Sequence, residues 1–114
     1  FGWHVHNLAG MGPANILAAL DGGATSIEGA ICGLGGGIVM PTTMGSVGNF
    51  PSEDIVHMLN EMGIYTGIDT RAAMEASKDI AGMIELTPRS HVTNCGTRAD
   101  VQEMGRKNPR AHPV

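Results

Sequence analysis

The sequence predicts an α/β fold built on a parallel strand–helix–strand unit, and three observations carry that expectation. An extended opening segment is followed by a short helix-forming run and a second β-branched segment, with connections too short for anything but a compact crossover. Glycine clusters mainly between these segments, and the 17 glycines show no repeat period. Polar side chains also share one face of each extended segment, as expected where strand ends line a cleft.

Residues 1–7 read as a strand. Within it His4 and His6 stand two apart, flanked by Trp3 and Val5, so extended backbone puts both imidazoles on one side. Such a pair can share a metal ion through ring nitrogens, and it equally fits a polar strand end with two solvated histidines. Leu8 to Gly12 forms a turn, and Pro13 suits the first turn of a helix through Leu20, with Ile16, Leu17 and Leu20 on one face. Asp21-Gly22-Gly23 ends it. Residues 24–32 read as the second strand, with Ile27 and Ile31 toward covering helices and Glu28, Ala30 and Cys32 on the opposite, inward face.

Gly33-Leu34-Gly35-Gly36-Gly37 follows directly. Its glycines suit either a ligand cradle, in which backbone N–H groups of Gly33, Gly35 and Gly36 approach an anionic substrate, or a flexible linker. Residues 38–48 continue as a long loop. Pro51-Ser52-Glu53-Asp54 opens a helix whose apolar stripe is Ile55, Met58, Leu59 and Met62; His57 falls on its exposed side. Asp69 is the expected N-cap of a helix to about Met83, with Ala72, Ala73, Ala76 and Ile80 inward. Residues 86–114 carry prolines and basic residues and read as an irregular, partly disordered tail, with a turn of helix expected at Asp100 to Met104. It is expected to be solvated, to cover a neighbouring subunit, or to carry substrate phosphates.

A formal charge of −4 with no aromatic-rich basic patch argues against nucleic acid as a partner. No apolar run approaches the ~20 residues that span a bilayer, so no membrane role is expected. Cys32 and Cys95 lack framework spacing, which suits reduced thiols in a cytoplasmic protein. Phe1 enters as if midway into a strand, and the chain is expected to be a piece of a longer one.

Taken together, His4-Val5-His6-Asn7, residues 14–20, Gly33-Leu34-Gly35-Gly36, Gly48-Asn49 and residues 52–59 resemble the carboxy-terminal part of the hydroxymethylglutaryl-CoA lyases, and Thr66-Gly67-Ile68-Asp69 extends the match. That family lies within a superfamily of metal-dependent lyases, aldolases and synthases. The resemblance implies that residues 1–85 are the last two strands and helices of a (β/α)8 TIM barrel. It implies a Mg²⁺ or Mn²⁺ site with His4, His6 and Asn49 as ligands, His4 also serving catalysis, and Asn7 and the glycine loop meeting substrate. The implied aspartate ligand and catalytic arginine belong to an upstream strand.

One departure stands out: the lyases carry a cysteine directly after Gly-Leu-Gly-Gly, and this sequence has Gly37. Cys32 is the nearest alternative thiol, as a catalytic group or, more commonly for such a residue, as a small buried thiol of the barrel core. The expected function is cleavage of a carbon–carbon bond in a hydroxylated acyl-CoA or related hydroxy acid by a retro-aldol or retro-Claisen step. A related aldolase, an acyl-transferring synthase and a non-catalytic metal-binding fragment are the alternatives. The expected partner is a small molecule, an acyl-CoA, and the full-length protein is expected to form a homo-oligomer.

Overall fold

The computed structural model describes residues 1–35, 38–39 and 46–108, with the side chains of 38, 39 and 46 left aside. Strand β1 (Gly2–His4) leads through a 3-10 turn at Leu8–Gly10 into helix α1 (Gly12–Asp21) and returns as β2 (Ser26–Glu28). The two strands pair in parallel, with Gly2 beside Ser26, Trp3 beside Ile27 and His4 beside Glu28. This is the expected strand–helix–strand unit. Pro13 sits in the first turn of α1, where its missing N–H has no intrahelical partner to lose.

Both strands are shorter than the sequence suggests because residues 49–52 are inserted beyond them. Phe50 N–H donates to Val5 O (3.0 Å), Ala30 N–H to Phe50 O (2.9 Å), and Ser52 N–H to Ala30 O (3.0 Å). The Phe50 ring is thereby driven into the core with Val5, Ile16, Ile55 and Leu59, while Leu20, Ile27 and Met58 pack at the margin. Gly12 is required here, since a Cβ would lie 2.6 Å from that ring.

Beyond Ala30 the strand parity fails. Ile31–Gly33 is a 3-10 turn with Cys32 at φ 61°, so the thiol does not continue the inward face. Within the expected loop, β3 (Ile38–Val39) pairs antiparallel with β4 (Ser46–Val47). Helix α2 (Ser52–Glu61) then buries Ile55 and Leu59 as expected, whereas Met62 is half exposed.

Helix α3 (Thr70–Met83) is capped by Asp69, whose carboxylate accepts from Ala72 N–H at 2.8 Å. Its buried face is Met74, Ser77 and Ala81, not the alanine stripe: Ala72 and Ala76 are exposed. Ser77 is selected because its small polar side chain meets the Cys32 thiol.

The irregular tail expected after residue 86 is corrected over residues 91–107, which form α4 (His91–Cys95) and α5 (Arg98–Lys107). The ordering comes from α2. Asp54 accepts from His91 N–H and Val92 N–H, both at 2.9 Å, and so caps α4. His57 Nε2 accepts from Arg98 N–H at 3.1 Å at the start of α5, which makes it more than ordinary surface. Thr97 and Asp100 complete a reciprocal cap, and Asp100 also pairs with Arg71 on α3. Among the described residues no helix is long and apolar enough to cross a membrane.

Candidate metal and substrate site

His4 and His6 stand side by side at the end of β1, ring centroids 5.0 Å apart and 72° between planes. What each ring can offer follows from its partner. His4 Nδ1 lies 3.3 Å from a Glu28 carboxylate oxygen, a contact set up by their pairing across the parallel strands. A carboxylate only accepts, so this contact, at ion-pair distance and not an aligned hydrogen bond, favours the hydrogen on Nδ1 and the lone pair on Nε2. His6 Nδ1 is 3.0 Å from both Val47 O and Gly48 O. Carbonyls also only accept, so the same assignment follows and Nε2 of His6 is again the free donor atom.

Asn49 is paired directly across from His6 by an antiparallel bridge. Its Nδ2 donates to Leu34 O at 2.7 Å, which leaves Oδ1 as the outward acceptor. Gly35 makes that possible: it has φ +103°, and a Cβ there would stand 2.5 Å from Asn49 Nδ2. The glycine loop thus sets the asparagine. Two imidazole nitrogens and an amide oxygen, each oriented by a neighbour, suit a divalent cation that takes its remaining ligands from oxygen. Among the described residues no group of three or more His, Cys, Asp or Glu side chains converges, so a carboxylate ligand would come from outside them.

Other expected site residues fare differently. Asn7 Oδ1 accepts from Gly12 N–H at 2.9 Å at the start of α1, and Asn7 also lines a cavity of about 320 Å³ with Asn49, Gly48, Asp54, Arg89 and His91. Gly33 is corrected as an N–H donor to substrate, because its N–H already donates to Ala30 O at 2.9 Å. Its own Cα faces Asn49 O, Arg89 and Pro51. Gly36 lies outside the described residues, as does Gly37.

Of the two readings of Cys32, the structure takes the buried thiol. It is fully buried, with Sγ 3.0 Å from Ser77 O and 3.2 Å from Ser77 Oγ, so it points under α3. The turn is held there by Glu53, also fully buried, whose two carboxylate oxygens each lie 3.1 Å from Cys32 N. Sequence reasoning missed Glu53, because an acid in the first turn of a helix reads as a solvated dipole partner. Burial pushes the Asp54 carboxyl above its usual range, opposed by the two N–H groups of α4.

Residues 1–80 match the family model described as HMGL-like. The chain belongs to the HMGL-like family. A cytoplasmic 3-hydroxy-3-methylglutaryl-CoA lyase of Rattus norvegicus is 37% identical over 99 residues, which cover 87% of this chain and 28% of that protein. A 4-hydroxy-2-oxovalerate aldolase of Azoarcus sp. is 39% identical over 79 residues, covering 69% of this chain and 20% of the relative. An HMG-CoA lyase from Acenitobacter baumannii, solved in complex with coenzyme A and 3-methylmalate, superposes with a TM-score of 0.74 at 33% identity. That match covers 99% of this chain and 33% of the other. The chain therefore spans about a third or less of the length of these HMGL-like relatives.

Proposed function

We propose that this HMGL-like chain supplies His4, His6 and Asn49 as ligands of a Mg²⁺ or Mn²⁺ ion, from the last two strands and helices of a (β/α)8 barrel. The whole protein, on this reading, is a carbon–carbon lyase acting on a hydroxylated acyl-CoA or related hydroxy acid. One observation carries it: His6 and Asn49, paired across an antiparallel bridge, each have a hydrogen-bearing nitrogen committed to a protein carbonyl, and the His4 ring lies beside His6 with its Nδ1 3.3 Å from the Glu28 carboxylate.

A bound divalent cation lowers the pKa of a coordinated hydroxyl and polarises a carbonyl, an effect of several kcal/mol. The protein's part is geometric. The Val47 and Gly48 carbonyls hold the His6 imidazole in one tautomer, Glu28 lies beside the His4 ring, and Leu34 O holds the asparagine amide. With the substrate hydroxyl and carbonyl held together, loss of the hydroxyl proton drives cleavage of the adjacent carbon–carbon bond. The enolate left on the carbonyl fragment then takes a proton.

A second reading has its own support. Gly37 stands where the lyases carry a thiol, and an aldolase is among the relatives. Proton donation by a positioned side chain contributes roughly 10²–10⁴-fold, so Gly37 favours a hydroxy-oxoacid over hydroxymethylglutaryl-CoA as substrate.

Calorimetric titration of the whole protein with Mn²⁺ tests the site, and His4→Ala, His6→Ala and the double variant are each expected to weaken binding by at least about tenfold. Unchanged affinity in the double variant overturns the ligand assignment. Parallel cleavage assays on hydroxymethylglutaryl-CoA and 4-hydroxy-2-oxovalerate separate the two readings.

A further inference from the structure

We propose that Arg89 is the anion-binding residue of this same cavity, taking an oxyanion of the substrate beside the proposed cation site. The group is a carboxylate of the hydroxy acid or a phosphate of its carrier. This rests on the cation site proposed above.

Four observations place the guanidinium there. Its backbone is pinned by Arg89 N–H donating to Cys32 O at 3.0 Å. Its side chain passes directly over Gly48, where any Cβ would coincide with Nη1, so the residue before Asn49 must be glycine for the arginine to lie in place. Among the described residues, the hydrogen bond of the guanidinium, Nη1 to Gly33 O, is long at 3.4 Å. Last, every Asp and Glu of the chain lies among the described residues, and none of them forms an ion pair with Arg89.

The cavity's own carboxylate is committed elsewhere. Asp54 faces it, but its two oxygens accept from His91 N–H and Val92 N–H. The wall shared by Asn7, Asn49 and Arg89 thus presents amide groups and a guanidinium that no Asp or Glu side chain pairs. A planar guanidinium meets carboxylate or phosphate through two parallel N–H···O bonds, which the ammonium of lysine cannot reproduce. The consequence is specificity: a substrate held by its hydroxyl at the cation would be selected for an anionic group at the distance of Arg89.

The experiment is calorimetry on the whole protein with three probes: Mn²⁺ alone, 3-methylmalate and coenzyme A, the last two with and without Mn²⁺. Arg89→Met is expected to leave Mn²⁺ binding unchanged and to weaken one organic probe by at least about tenfold. Arg89→Lys should recover part of that loss. Loss confined to 3-methylmalate identifies a carboxylate subsite, and loss confined to coenzyme A a phosphate subsite. If both probes bind Arg89→Met as they bind the parent, or if the parent binds neither, the proposal is overturned. If the parent fails to bind Mn²⁺ yet Arg89→Met still loses a probe, the cation reading fails while the arginine assignment stands. Should Arg89→Met not fold, Arg89→Lys decides, with parent-like affinity for both probes refuting bidentate recognition.

Discussion

Replacing Gly35 by alanine tests whether the glycine loop exists to place a ligand. At φ +103° an L-residue is strained by about 1–3 kcal/mol. The new Cβ would stand 2.5 Å from Asn49 Nδ2, well inside van der Waals contact, so the amide must move. Moving it breaks the 2.7 Å bond to Leu34 O, a net loss of about 0.5–1.5 kcal/mol. Together these amount to about 2–4 kcal/mol of stability. Misplacing a group that orients a metal ligand lowers metal affinity by about 10–100-fold. Gly63→Ala is the control: Gly63 has φ +78°, and a Cβ there would meet no heavy atom within 4 Å, so it carries the backbone strain alone. Denaturant melts and Mn²⁺ titrations of the whole protein are expected to show a stability loss in both variants and an affinity loss only in Gly35→Ala. If Gly35→Ala binds Mn²⁺ like the parent while Asn49→Ala does not, the loop is not what holds the asparagine.

Two further outcomes are expected. Cys32→Ala should lower stability by about 1–2 kcal/mol through a small void under α3 and leave turnover of the whole protein unchanged; a fall in turnover without a matching fall in melting temperature would return the thiol to the chemistry. The Arg71 guanidinium beside Asp100, helped by Thr97 N–H, holds that carboxyl down at about 2, against 3.8 for a free one. Because the folded value is the lower, the contact contributes fully above pH about 4 and fades as pH falls through about 2. Helical signal from α5 should therefore drop across that acid window in the parent but not in Asp100→Asn, and a carboxyl NMR titration midpoint near 3.8 for Asp100 would contradict the pairing.

What the sequence determined by itself was local. The two-residue spacing of His4 and His6 dictates a shared side in any extended backbone, and the rings do lie together. Pro13, Pro51 and Asp69 mark the starts of helices because φ restriction, a missing N–H or a side-chain cap acts within four residues, and Gly23, at φ +99°, follows the end of the first. The βα pattern likewise announced the parallel pair of β1 and β2.

Tertiary structure decided everything that depends on a distant partner. Cys32 turns toward Ser77, 45 residues on, because a 3-10 turn held by Glu53 interrupts the strand alternation. Beyond the turn expected at 100–104, α4 and α5 form because Asp54, His57 and Arg71 receive their N–H groups and carboxylate, contacts that no periodicity in a Pro- and Arg-rich segment announces. The resemblance already points to Asn49, but which of its amide atoms stays free is decided by Leu34 O, 15 residues earlier, which takes its N–H. A hydrogen bond's direction settles which atom stays free, and that direction exists only when both partners are in place.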